Sequence, residues 1–143
     1  MDLGFKMFRL EPSNFTSWEF EVSEEDSKNE QKYLNSLEKW IKNPLKEKNF
    51  PKENLIYELM LRERCDLNSK VEEISINSNH FYKVSDLSSD HAFYILFDST
   101  LSPETLKSLR SSPYKDSLFL MSEQALNDTL KINLKQIVKV KVF

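Results

Sequence analysis

Residues 91–98 (HAFYILFD) constrain the fold of this chain more than any other segment. Six apolar residues follow one another from Ala92 to Phe97. A strand with one face in water alternates apolar and polar residues, whereas an unbroken apolar run of this length is typical of a strand buried on both faces. The sequence therefore predicts an α/β fold in which this strand lies inside the sheet.

The residues after this strand alternate between helical and extended patterns. Ser102 is expected to cap a helix, with a proline at its first position. Residues 117–122 (SLFLMS) are typical of the next strand, and a helix is expected to begin at Ser122 or a neighbour. The closing residues 138–143 (VKVKVF) have the period of a strand. This order predicts a C-terminal β-α-β-α-β parallel sheet unit with right-handed crossovers.

Two helices and a β-hairpin are expected before this unit. Ser23 is a plausible N-cap for a first helix that ends near Lys42. Pro51 can open a second helix that runs to about Cys65. Residues 71–76 and 80–86 are extended in pattern and are separated by Asn-Ser-Asn, which predicts a hairpin.

The first 50 residues are expected to form a linker or docking region, and residues 51–143 the α/β domain. Residues 4–10 (GFKMFRL) alternate well enough to predict a short strand, and an aromatic segment and an amphipathic helix follow. A short strand followed by irregular chain cannot bury so many large aromatic side chains by itself. The candidate interface residues are Phe15, Trp18 and Phe20, and ordinary packing into the chain's own core is the alternative.

The composition excludes several classes of function. Gly4 is the single glycine among 143 residues, so the loops that hold dinucleotides, phosphates or S-adenosylmethionine are not expected in this chain. Cys65 is the single cysteine, which fits a reducing, cytoplasmic location. No apolar run approaches the ~20 residues of a membrane helix, and the N-terminus lacks the basic stretch and apolar core of a secretory signal, so no membrane association is expected.

No catalytic or metal-binding residue is assigned from the sequence. His80 and His91 lie in or beside strands without a Cys or His at ligand spacing. Asp98 and Glu123 follow two successive strands, where they would be placed to hold a divalent metal. The alternative is that both carboxylates serve turns and helix starts, which favour acidic residues.

The charge of the chain argues against direct nucleic-acid binding. The net charge is −3, and each half of the chain carries more acidic than basic side chains. The C-terminus is the local exception, with possible phosphate contacts at Lys131, Lys135, Lys139 and Lys141. The alternative for these lysines is a solvated helix face and strand edge.

Four segments together resemble one protein family, the modification subunits of type III restriction–modification DNA methyltransferases. Residues 4–18 resemble its segment G-F-x-x-F-x-L-x-x-S-N-F-x-x-W, and residues 53–73 resemble its L-L-x-E-I-L-L-K-x-G-x-x-L helix. Residues 93–109 resemble its buried strand with the L-T-x-E helix. Residues 118–137 resemble x-C-L-D-x-A-F-x-x-N-D-x-L-K-x-N, with family-motif matches at Asn127, Asp128, Leu130, Lys131 and Asn133.

The resemblance covers the C-terminal region of that family, beyond its catalytic motifs. It implies a parent protein that transfers a methyl group from S-adenosylmethionine to adenine in a short DNA site, dimerises, and binds a helicase-nuclease restriction subunit. The chain itself would be a separately produced, non-catalytic assembly domain without a cofactor. A stand-alone protein–protein interaction module is the alternative. The chain departs from the family at Arg64-Cys65, where glycine is frequent, and at Met121-Ser122, where Leu-Asp is usual.

Overall fold

The computed structural model describes residues 4–15, 30–42, 45 and 51–143. The chain divides into two compact units, residues 1–58 and residues 59–143. The helices within the described residues are α1 (Glu30–Lys42), α2 (Lys52–Arg62), α3 (Pro103–Ser108) and α4 (Asp128–Lys135), with a short 3-10 helix at Glu123–Ala125. The strands are β1 (Lys70–Ile76), β2 (Asn79–Ser85), β3 (Ala92–Leu96), β4 (Leu118–Met121) and β5 (Lys139–Val142).

The second unit is built on one mixed sheet of five strands in the order β1-β2-β3-β4-β5. β1 and β2 form an antiparallel hairpin, and β2 pairs antiparallel with β3. β3, β4 and β5 are mutually parallel and are connected through α3 and α4. The α/β fold predicted from the sequence is therefore confirmed.

The main hydrophobic core lies on one face of this sheet. Phe81, Leu96 and Met121 occupy matching positions on three neighbouring strands, so their side chains share a face. They pack in one cluster with Leu109, which follows α3, and with Leu134 of α4. Right-handed crossovers between successive parallel strands carry both helices to the same side. Each such fully buried side chain stabilises the fold by roughly 1.5–3 kcal/mol.

The opposite face of the sheet is also buried in its centre. Val84, Phe93 and Ile95 are fully covered, and Leu120 of β4 is 3% exposed. Because β3 contributes buried side chains to both faces, every position of its sequence is apolar. At the edge of this face, Lys141 of β5 forms an ion pair with the carboxylate that follows α2, that of Glu63 (Nζ–Oε2, 2.7 Å).

Helix α2 ends through a residue in the left-handed conformation. Arg64 has φ 60°. The N–H of Cys65 donates to the carbonyl of Met60 (2.9 Å), and the N–H of Arg64 donates to that of Leu61 (3.1 Å). These two bonds define the Schellman motif, in which glycine commonly takes the left-handed position. Arginine there costs about 1 kcal/mol relative to glycine, because its Cβ crowds the backbone.

The strand expected at residues 4–10 is not formed. These residues have no regular secondary structure, and each is exposed. Alternation of apolar and polar residues gives a segment the capacity to be a strand, but pairing with a neighbouring strand is what holds it extended. Within the described residues, no strand pairs with this segment.

Two further boundaries differ from the sequence-based expectation. The hairpin turn has two residues rather than three, because Asn79 pairs with Ile76 inside the ladder and Asn77 takes a positive φ of 53°. The helix expected after β4 is interrupted. Leu126 is extended, and the Asn127 side chain accepts the N–H of Leu130 (2.8 Å), which starts a new helix. Asparagine competes with the helical backbone in this way at N-caps.

Several expectations fall outside the described residues. They include the helix start at Ser23, the helix stop at Pro44, and the aromatic side chains of Trp18 and Phe20. Among the parts of the chain that are described, no helix has the length and apolar character needed to cross a membrane.

Candidate functional site

Asp98 lies just beyond the carboxyl end of β3, at the edge where open α/β sheets bind ligands. Its Oδ2 atom accepts hydrogen bonds from the side-chain amide of Asn79 (3.0 Å) and from the backbone N–H of His80 (3.1 Å). These bonds join the start of β2 to the loop after β3. In this structure the carboxylate therefore fastens two backbone segments together.

A buried polar network surrounds this contact, centred on Asn79 and Thr105. Asn79 is 4% exposed and Thr105 is fully buried. The Asn79 amide also donates to the carbonyl of Thr100 (2.8 Å), and its Oδ1 accepts the N–H of Ser102 (3.0 Å) and the Thr105 hydroxyl (2.9 Å). All hydrogen-bonding positions of the amide are thus used, as burial of a polar group demands. Sequence patterns did not reveal this network, because its members are distant in the chain.

His80 and Ser75 form a polar pair across the hairpin. The Ser75 Oγ lies 3.0 Å from Nδ1 of the His80 ring, and both residues are exposed. A Ser-His-Asp triad needs a carboxylate on the second ring nitrogen, which orients the imidazole as a base. Asp98 instead binds the backbone N–H of His80. The pair therefore lacks the orientation of a nucleophilic site. His91 is exposed just before β3.

Glu123 begins the short 3-10 helix after β4, and its carboxylate pairs with Lys131 of α4. Glu123 and Asp98 therefore engage different partners, Lys131 of α4 in one case and the start of β2 in the other. In the described portion of the chain, no group of three or more His, Cys, Asp or Glu side chains is placed to hold a metal ion.

The four C-terminal lysines divide into two pairs. Lys131 and Lys141 are held by carboxylates, those of Glu123 and Glu63. Lys135 and Lys139 are exposed, one in α4 and one in β5. Surface ion pairs are weak, typically below ~1 kcal/mol, so a polyanion can compete for the held lysines. The positive charge on this surface is nevertheless reduced by the adjacent acids.

The family-like motif at 127–133 serves the fold at most of its positions. Asn127 caps α4, and Asp128 places a negative charge in the first turn of that helix. Leu130 packs against the core, and Lys131 pairs with Glu123. Asn127, Asp128 and Asn133 are all exposed, but among the described residues Asn133 neither caps the helix nor belongs to the core cluster. Of the five positions, Asn133 is therefore the candidate for contact with another molecule.

The Cys65 thiol is not activated. Cys65 is 5% exposed, and burial raises the pKa of its thiol, assisted by the nearby negative charges of Asp86 and Glu63. A raised pKa lowers the thiolate fraction at neutral pH, whereas a nucleophilic cysteine needs the opposite shift. The residue acts as a small apolar side chain after the end of α2.

Within the first unit, Glu58 binds the residues that follow the segment 4–10. The side chains of Ser13 and Asn14 donate hydrogen bonds to the Glu58 carboxylate, and Asn14 adds its backbone N–H (2.9 Å). Phe15, one of the candidate interface residues, is buried at 8% exposure and forms an antiparallel bridge with Leu45. Before this anchor, Phe5 and other apolar residues are exposed.

Comparison of the chain with protein-family models, curated proteins and solved structures found no match.

Proposed function

We propose that this chain is a non-catalytic C-terminal assembly domain of a type III restriction–modification, site-specific DNA adenine methyltransferase in the cytoplasm. Its role is to support subunit association. Binding of S-adenosylmethionine and methyl transfer belong to the rest of the parent protein. The partners are the methyltransferase core, a second modification subunit and the helicase-nuclease restriction subunit. DNA is reached only through the assembled complex.

One contact carries this proposal. The first family-like segment contains Ser13-Asn14-Phe15, and the second contains Glu58 at its glutamate position. Asn14 donates two hydrogen bonds to Glu58 Oε2 (2.9 and 3.0 Å), and the Ser13 hydroxyl donates to Oε1. Residues that carry the resemblance in separate segments therefore meet in one structure. A chance similarity of unrelated segments gives no reason for this contact.

The conformation of Arg64 gives independent support. The family frequently has glycine where this chain has Arg64-Cys65, and Arg64 takes φ 60° at the end of α2. A left-handed residue at a helix C-terminus is the position at which glycine is most favoured. The departure from the family pattern therefore keeps the backbone geometry that the pattern implies.

The test is direct binding of the purified chain to its proposed partners. One partner is a type III methyltransferase core produced without its C-terminal region, and the other is the restriction subunit. We expect association with at least one of them by calorimetry, and no heat of binding with S-adenosylmethionine alone. Asn133→Ala is expected to weaken association by about tenfold, as truncation of a contact residue does. Gln136→Ala, at the exposed residue that follows α4, is the matched control. Failure to bind either partner contradicts the proposal.

A stand-alone interaction module is the second candidate. It is favoured by the exposed apolar side chains of Phe5, Met7 and Leu10, which are 85%, 85% and 99% exposed. Exposed apolar groups in this number mark a contact surface regardless of any methyltransferase. The module is supported instead if the chain associates with neither methyltransferase component but binds a protein from outside such systems through these side chains.

A further inference from the structure

We draw no further inference here: the strongest candidate, the outer edge of β1 with the exposed side chain of Val71, is an edge without a second neighbour among the described strands, and nothing in the structure shows what covers it.

Discussion

Two segments of similar composition behave differently in this molecule. Residues 138–143 (VKVKVF) and residues 4–10 (GFKMFRL) both mix apolar and basic side chains with a period close to that of a strand. The first contains β5, which pairs in parallel with β4, and its terminal Phe143 is buried. The second forms no strand, and its Leu10 is 99% exposed. The difference shows that alternation gives a segment only the capacity for a strand, whereas the neighbour available for pairing decides the outcome.

The largest expected effect tests whether the sheet that β5 joins and the unpaired segment 4–10 differ in their contribution to the free energy of unfolding. Phe119 of β4 is fully buried in the core, and Phe5 is 85% exposed. Phe119→Ala should lower the free energy of unfolding by about 3–5 kcal/mol, because it removes apolar contacts and leaves a cavity. Phe5→Ala should change it by less than about 0.5 kcal/mol. Urea denaturation at a concentration where the chain is monomeric measures the free energy of unfolding of both variants. Equal losses in Phe119→Ala and Phe5→Ala would contradict the prediction.

The second prediction concerns the network that fixes β2 beside the loop after β3. Asn79→Ala removes both donors and the acceptor of a buried amide, and leaves the N–H of Ser102 and the carbonyl of Thr100 without their partner. The expected loss of unfolding free energy is about 2–3 kcal/mol. His80→Ala, at the adjacent exposed position, is the control and should stay within about 0.5 kcal/mol of the parent. A loss confined to His80→Ala would show that the network does not hold the sheet together.

The sequence predicted the parts of the fold that depend on local patterns. The apolar run at 92–97 correctly predicted the position of β3, and the Ser-Pro pair at 102–103 correctly predicted the start of α3. It did not predict which segments would find a partner. The prediction of a strand at 4–10 was therefore wrong. The prediction of one continuous helix after β4 was also wrong, because the Asn127 side chain caps a new helix there.

At the candidate site, too, the sequence predicted the position of a residue but not its contacts. The sequence placed Asp98 at the carboxyl end of a strand, as the structure has it. Its partners, Asn79 and the N–H of His80, lie 19 and 18 residues away, and hydrogen bonds over that distance leave no periodic signal. The ion pair between Glu63 and Lys141 spans 78 residues and was equally hidden.

The third prediction is an increase in the free energy of unfolding, whereas the first two are decreases. Arg64→Gly should raise the free energy of unfolding, because glycine accepts φ 60° without the crowding that a Cβ causes. The greater freedom of glycine in the unfolded chain offsets part of this gain, so the net stabilisation should be about 0.5 kcal/mol. Arg64→Ala keeps the Cβ and is the control for the loss of charge. If both variants are equally stable, the backbone conformation at Arg64 carries no cost.

The smallest expected effect is the pH response of the turn between β2 and β3. The Asp86 carboxylate accepts the N–H of Ser88 (3.1 Å) and the hydroxyls of Ser88 and Ser89, and these bonds lower the pKa of Asp86 from its usual value of 3.8. A lowered pKa means that the contribution is complete above about pH 4 and is lost as the pH falls through the lowered value. NMR titration should show Asp86 ionising below its usual pKa. The shift should shrink, without disappearing, when Ser88 and Ser89 are replaced by Ala, because the variant loses both hydroxyls but keeps the backbone N–H of residue 88. An unshifted titration in the parent chain would contradict the assigned contacts.

The strand order of the sheet has a consequence for the rate and route of folding. Among the described residues, each strand of the sheet pairs only with the strands that precede and follow it in the chain, so every pairing closes a comparatively short loop. Short loop closures favour fast folding, and antiparallel hairpins close the shortest of all. We therefore expect the sheet to nucleate at β1 and β2 and to grow by one strand at a time, with β5 added last. A chain halted before that last step would expose the outer edge of β4, whose four side chains are all apolar. Transient association during folding is expected at that edge, and it would compete with the addition of β5.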